Sequence, residues 1–333
     1  MTFGWIKLSA LLCLTLVAAA PVSAPQGLSV EQLRALREAD LRLAVIGHRL
    51  ATANVTLCDR LAPAPGWALH AIDQYAPADR ANARVVFGFT SPVAVEALVP
   101  GGAAAQAGVR PDEGLIGVAG RPLAAPPPSA KESSATRDAA LATVAAQPPS
   151  APLVLTLTNA DGRRTVTLPA SPGCRTDFEL LLGPKMAANA DGRVVQIGVR
   201  FLERYSDPEI AAVVAHELAH NILRHRERLE AAGVRWGLLS EFGRNRRLFR
   251  RTEEEADQLS VSLLRNAGYD PRGAVAFWRD HGGDVDGGFF RSRTHPSSKA
   301  RAAAIEAEVA RLPPPGGLAH RPPVIGSRDQ PLS

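Results

Sequence analysis

The stretch Asp207-Pro208-Glu209-Ile210-Ala211-Ala212-Val213-Val214-Ala215-His216-Glu217-Leu218-Ala219-His220-Asn221-Ile222-Leu223-Arg224-His225 decides how the chain is read. Asp207 before Pro208 predicts a helix start, with a capping acceptor and then a proline whose missing N–H costs nothing in the first turn. Ile210, Val213, Val214, Leu218, Ile222 and Leu223 follow at helical spacing with no internal breaker. Residues four apart on a helix share a face. His216 and His220 can therefore offer two imidazole nitrogens to one metal ion, with Glu217 beside the first to take a proton from water. That is the chemistry of an H-E-x-x-H zinc peptidase. The competing reading is a surface helix with two solvated histidines. The uncharged neighbours Val214, Ala215, Leu218, Ala219 and Asn221 favour a buried helix.

A catalytic zinc takes three protein ligands and keeps one position open. Downstream, Thr252-Glu253-Glu254-Glu255-Ala256-Asp257 predicts a second helix, with Thr252 as N-cap and a stop at Gly268. Glu253 and Asp257 are four apart. Glu253 is assigned as third ligand, and Asp257 as acceptor of a ligand histidine's distal N–H, with Asn221 also placed behind the ligands. Glu254 and Glu255 are read as acidic residues favoured by the helix dipole, Glu255 remaining a rival for the ligand role.

With these residues in hand, His216-Glu217-x-x-His220 followed by Glu253-x-x-Ala256-Asp257 resembles the gluzincins typified by the HtpX heat-shock protease and the type I CaaX prenyl proteases, nearest the bacterial periplasmic branch. Asn189-Ala190 leading into Val194–Val199 is similar to that family's edge strand. Gly268-Tyr269-Asp270-Pro271, Phe277-Trp278 and Thr294-His295-Pro296-Ser297 resemble its later segments. The resemblance covers about the last half of the chain. It implies an α+β fold, a mainly helical zincin-type metallopeptidase domain with a small edge sheet, holding one Zn2+ per chain. It also implies envelope protein quality control. Substrate backbone would pair with the strand Val194, Val195, Gln196, Ile197 and Gly198. His295 is a candidate oxyanion stabiliser, resting-state ligand or helix cap, and Tyr269 a second oxyanion candidate. Unlike HtpX-like members, this sequence shows no transmembrane segments.

The 333 residues exceed one average domain, so two folded units plus tails are expected. The net charge of +5 comes without a nucleic-acid motif, leaving a basic background with a membrane-surface contact as an option. Residues 1–24 predict an export signal, with Lys7 before the apolar run Leu8 to Ala20, which is too short to span a bilayer; an uncleaved anchor at the inner membrane is the alternative to a periplasmic or secreted product. Of 3 cysteines, Cys13 falls in that segment. Cys58 and Cys174 are then predicted to form a disulfide clamping the ends of what lies between.

Ser29 and Gln32 form a capping box for a helix to about Thr52, completing an N-terminal helical part over 25–83. His48 and His70 are read as structural. Across 84–170 the pattern turns to short β-runs, beginning with Val85 to Phe89. Pro100-Gly101-Gly102-Ala103-Ala104-Ala105-Gln106-Ala107-Gly108-Val109 and Ile116 to Leu123 resemble an inserted, β-rich PDZ domain. That resemblance implies a groove taking protein or peptide ligands, including C-termini captured by a loop at Phe87-Gly88-Phe89-Thr90. A helix is expected over 133–146 and a hairpin about Asn159-Ala160-Asp161-Gly162. The Arg-rich stretch 229–251 predicts a helical hairpin, 171–312 the catalytic part, and 313–333 a disordered tail. A different class stays open, a catalytically idle scaffold with a structural zinc.

Overall fold

The computed structural model describes residues 27–234, 244–286, 297–314 and 318–332. In chain order it begins with helix α1 (Val30–Ala53), strand β1 (Leu61–Pro63) and strand β2 (Trp67–Ala71). Helix α2 (Arg80–Phe87), β3 (Val93–Leu98), α3 (Ala103–Gln106), β4 (Gly114–Val118), β5 (Arg121–Pro122), α4 (Ala135–Ala145), β6 (Leu153–Asn159) and β7 (Gly162–Leu168) follow. Then come β8 (Pro172–Cys174), β9 (Asp177–Leu181), β10 (Ala188–Ala190), β11 (Val194–Gly198) and α5 (Val199–Arg204). The last helices are α6 (Asp207–Ile222), α7 (His225–Ala231), α8 (Arg244–Asn266), α9 (Arg272–Asp286) and α10 (Ser298–Val309). Among the described residues no helix is long and apolar enough to cross a membrane.

Two large apolar cores and two smaller clusters result, and α1 joins the largest core to one of the small clusters. Its start is the expected capping box: Ser29 Oγ accepts from the Gln32 N–H, and Gln32 Oε1 from that of Ser29. Leu43, Ile46 and Leu50 enter the larger core with α5, α6, α8, α9, α10 and a three-stranded sheet. Leu33, at the other end, meets Ile72, Tyr75, Phe87 and Phe89. Gly47 is where α1 passes closest to that sheet, because a Cβ there would lie 2.5 Å from the Phe178 ring. The second core lies within a six-stranded sheet ordered β2-β3-β4-β6-β7, with β5 beside β4, and is covered by α3 and α4.

That sheet begins at Trp67, well before residue 84. Val85 to Phe89 departs from the expected β-run: α2 is helical to Phe87, and Gly88, with φ of 70°, turns the chain. Phe87 and Phe89 are buried against His70 rather than lining an open loop. The carboxylate loop expected at Phe87-Gly88-Phe89-Thr90 needs free backbone N–H groups, and those of Gly88 and Phe89 donate instead to the Arg84 and Phe87 carbonyls, while the Thr90 hydroxyl donates to the Thr158 carbonyl. His70 is structural as expected, its Nδ1 2.9 Å from the Tyr75 hydroxyl. The helix and hairpin expected at 133–146 and about residue 160 are α4 and β6–β7.

Both ends of this region return to one place. β1 pairs antiparallel with β8, Leu61 opposite Cys174, and Cys58 and Cys174 are disulfide-bonded with Cα atoms 5.5 Å apart. The bridge closes a loop of 116 residues' separation. Replacing both cysteines by serine is expected to cost about 2–5 kcal/mol of stability, seen as a lower urea midpoint. An unchanged midpoint would remove the clamp from the stability account.

The tail differs from expectation. Pro323–Asp329 forms a 3₁₀ turn, Ile325 and Leu332 are buried, and Arg328 donates to the Leu57 carbonyl across the molecule. Apolar anchors and arginine stems offset the ordering entropy that a Pro/Gly-rich composition alone suggests will win. The Arg-rich stretch contains the end of α7 and the start of α8, while 235–243 lies outside the described residues, as do the export signal and His295.

Candidate metal centre

Helix α6 carries the two histidines. Its N-cap is Ser206, not Asp207: Ser206 and Glu209 form a reciprocal capping box, and Asp207 instead pairs with Arg42 at 2.7 Å. Beyond its first turn α6 is buried nearly all round, from Ile210 to Ile222 apart from a half-buried His220. A helix so enclosed must satisfy its polar side chains internally. Helix α8 lies against it and carries Glu253. Thr252 is not an N-cap, since α8 already runs from Arg244 and the Thr252 hydroxyl donates back to the Phe249 carbonyl.

The expected ligands meet. His216 Nε2 and His220 Nε2 are 3.1 Å apart, His216 Nε2 and Glu253 Oε2 3.3 Å, and His220 Nε2 and Glu253 Oε1 3.4 Å. Ligand bonds of roughly 2.0–2.1 Å at tetrahedral angles separate donor atoms by about 3.3 Å. The donor set and its spacing fit zinc. These three residues form the only such group among the described residues. Glu217 is buried directly beside His216 on α6.

Each histidine is held from behind by a different device. His216 Nδ1 donates to Asp257 Oδ1 at 3.0 Å, as expected, which leaves Nε2 facing the centre. Asp257 is gripped in turn by Arg301, whose Nε lies 2.9 Å from Oδ2 and Nη2 2.6 Å from Oδ1. Arg301 is 3% exposed. Its guanidinium stacks 3.5 Å from the Trp278 ring centre, and Nη1 lies 3.7 Å from Glu253 Oε2. Behind His220 stands His225, Nδ1 to Nδ1 at 2.9 Å, and the Nε2 of His225 lies 3.1 Å from Glu255. Only one set of tautomers satisfies this row. Glu255 accepts from His225 Nε2–H, His225 Nδ1 accepts from His220 Nδ1–H, and His220 Nε2 keeps a lone pair for the centre.

Charge follows the same geometry. Burial and the Arg301 cation press the His216 imidazolium to deprotonate, but hydrogen bonds to Asp257 and Glu253 outweigh them and push its pKa up to about 9. His220 is held well below its ordinary value, chiefly by burial. Burial raises Asp257, yet Arg301 and His216 bring its carboxyl below the usual range. Metal entry must therefore expel a proton from His216. Near neutral pH about one proton should leave per ion bound, and affinity should rise with pH up to about 9. Calorimetry in two buffers of different ionisation heat measures this, and a buffer-independent heat would contradict it.

Sequence reasoning missed Arg301 and His225. Arg301 shares the inward stripe of α10 with Ala302 and Ile305, and an arginine in an otherwise apolar stripe was the available signal. His225 looked like the end of the metal helix, but Arg224 turns the chain through the left-handed region (φ 54°) and starts α7 there. Glu255 is neither ligand nor dipole ornament: it binds His225, Arg228 at 2.6 Å and Ser327 at 3.0 Å. Replacing His225 by phenylalanine keeps the ring's bulk but removes the acceptor. Zinc affinity should fall roughly 10–100-fold, read by competition with a chromophoric chelator.

Three other expectations are corrected. Val194, Val195, Gln196, Ile197 and Gly198 form β11, the central strand of the order β10-β11-β9, so both its edges are occupied and no substrate can pair with it. Tyr269 follows the end of α8, about 20 Å along the axis from Glu253 at 1.5 Å per residue, and rests against Arg49. It cannot reach the centre. Asn221 does not touch a ligand: its Oδ1 accepts from the Gly192 N–H at 2.7 Å, tying the β10–β11 turn to α6.

Residues 237–309 match the Peptidase family M48 model. The matched span contains Glu253, Asp257 and Arg301 and begins after the two histidines. A curated relative described as "Mitochondrial metalloendopeptidase OMA1" from Schizosaccharomyces pombe is 30% identical over 29% of this chain and 35% of its own length. The protein of the same description from Arabidopsis thaliana is 31% identical over 30% of this chain and 24% of its own length. The chain thus spans about a third or less of the curated relatives it matches. The family match and these relatives support a metalloprotease.

Proposed function

We propose that this chain is a zinc-dependent metalloendopeptidase, with His216, His220 and Glu253 as ligands and Glu217 as general base. The observation that carries the reading is the triangle of donor atoms with sides of 3.1–3.4 Å beside a buried glutamate. Zinc in such a site supplies a Lewis acid that polarises a carbonyl and brings water's pKa towards roughly 7. Glu217 takes the proton of the attacking water and returns it to the leaving amine. Asp257, anchored by Arg301, and His225, anchored by Glu255, keep the imidazoles aimed. A purely structural site has no use for a buried base at this position, which weighs against the idle-scaffold reading.

Substrate backbone is best placed along β10. It is an end strand, paired antiparallel to β11, and it packs on α6. An extended peptide added there would run beside the metal helix. The region 67–168 would act as a PDZ-like selecting module. Export and a role in envelope protein quality control rest on the sequence of residues 1–24 and on the family resemblance. The test is direct: purified protein should degrade casein, stop with 1,10-phenanthroline and resume on adding zinc. Protein that binds zinc stoichiometrically yet never cleaves would end the enzymatic reading.

A further inference from the structure

A cavity of about 300 Å³ lies away from the metal centre, walled by α1, β2, α4 and β9. The six-stranded sheet turns its end strand β2 towards it, and the three-stranded sheet its end strand β9. Its walls carry seven carboxylates against three arginines, in a chain whose net charge is +5. Two of those arginines are already matched: Arg137 pairs with Asp138 and Glu179, and Arg193 lies 3.5 Å from Asp177. Asp40 has no ion pair or hydrogen bond among the described residues.

Glu96 is the second, independent sign. It is 4% exposed and lines the cavity from β3. Its Oε1 finds no hydrogen-bond partner among the described residues. His70 Nδ1, 3.7 Å away, is engaged with Tyr75, and burial keeps that ring neutral. A buried carboxylate in this state has lost its hydration without replacement. Burial pushes Glu96 up, with Asp40 adding to it, and burial pushes Asp40 up to about 7. Arg137 acts on both and Arg37 on Glu96, but each is already held by other acids, Arg137 by Asp138 and Glu179 and Arg37 by Asp112.

We infer that this cavity is a docking site for an extended polypeptide segment carrying a lysine or arginine side chain, its cation seated against Asp40 and Glu96. Leu36, Trp67, Leu141 and Phe178 supply apolar wall for the side chain's methylene stem. The end strands supply backbone for an added strand. The volume is at the small end of ligand pockets, roughly 300–1,000 Å³, and suits one long side chain with a short stretch of backbone. A C-terminal carboxylate, the usual prize of a PDZ groove, would meet repulsion here. A divalent ion is disfavoured because no third carboxylate or histidine joins this pair in a ligand group among the described residues.

The inference is independent of the peptidase reading, and its test keeps the two apart by using full-length Glu217→Gln protein, on which a probe stays intact. A fluorescein-labelled, end-blocked Val-Thr-Lys-Val-Thr-Val peptide is titrated by anisotropy against its norleucine twin. The lysine peptide should bind at least tenfold more tightly, and Asp40→Asn with Glu96→Gln should erase that preference. Should the double variant lose its fold by circular dichroism, Asp40→Asn alone should cut the preference at least threefold. Equal binding of the two peptides, or a preference that survives the substitutions, would overturn the proposal. So would n-butylamine competing as well as the peptide, which would make this a site for a free amine.

Discussion

Glu217→Gln protein is expected to keep about one zinc per chain and to lose casein hydrolysis by roughly two to four orders of magnitude, the usual contribution of a positioned general base. The amide keeps the side chain's size, so the buried helix α6 needs no repacking around it. His216, His220 and Glu253 remain, with Asp257 and His225 behind them, so metal content by mass spectrometry should not change. Only the capacity to take and return a proton is removed. Activity within tenfold of the unaltered protein would mean that another group does this work.

Glu253→Gln should behave differently, losing the metal itself. Zinc sites of four ligands are worth roughly 10–16 kcal/mol, or about 3 kcal/mol for each ligand. Dropping one carboxylate ligand should therefore weaken zinc binding a hundredfold to a thousandfold, and dialysed protein should come out largely metal-free and inactive. Arg301 keeps its two hydrogen bonds to Asp257, so the helices should stay together and the loss should be one of affinity rather than of fold. Unchanged zinc affinity would show that the carboxylate of Glu253 is a bystander and that the centre is built some other way. The pair of variants separates holding the ion from using it.

Much of the centre was legible because helical spacing is rigid. His216 and His220, like Glu253 and Asp257, are four apart, and a helix leaves such pairs little freedom. The disulfide was legible from cysteine arithmetic. What failed was whatever tertiary packing decides. Val85 to Phe89 is β-branched and aromatic, yet it closes a helix because Phe87 and Phe89 are drawn into the cluster around His70. The strand at 194–198 reads the same whether it is central or at an edge. Only the arrival of β9 as a parallel neighbour settled it. Thr252 and Asp207 are good capping residues that sit where no cap is required, the first within α8 and the second one step past Ser206. Arg301 comes from a distant helix, and no local pattern announces a guanidinium aimed inward.

Arg301 has a consequence in time as well as in space. The acids at 253 and 257 and the imidazoles at 216 and 220 are all made before α10, whose guanidinium balances them. Without those final turns the two acids keep only the imidazolium of His216 as countercharge, and their burial is poorly balanced. Completion of the centre thus waits on the last long helix, although every ligand precedes it in the chain.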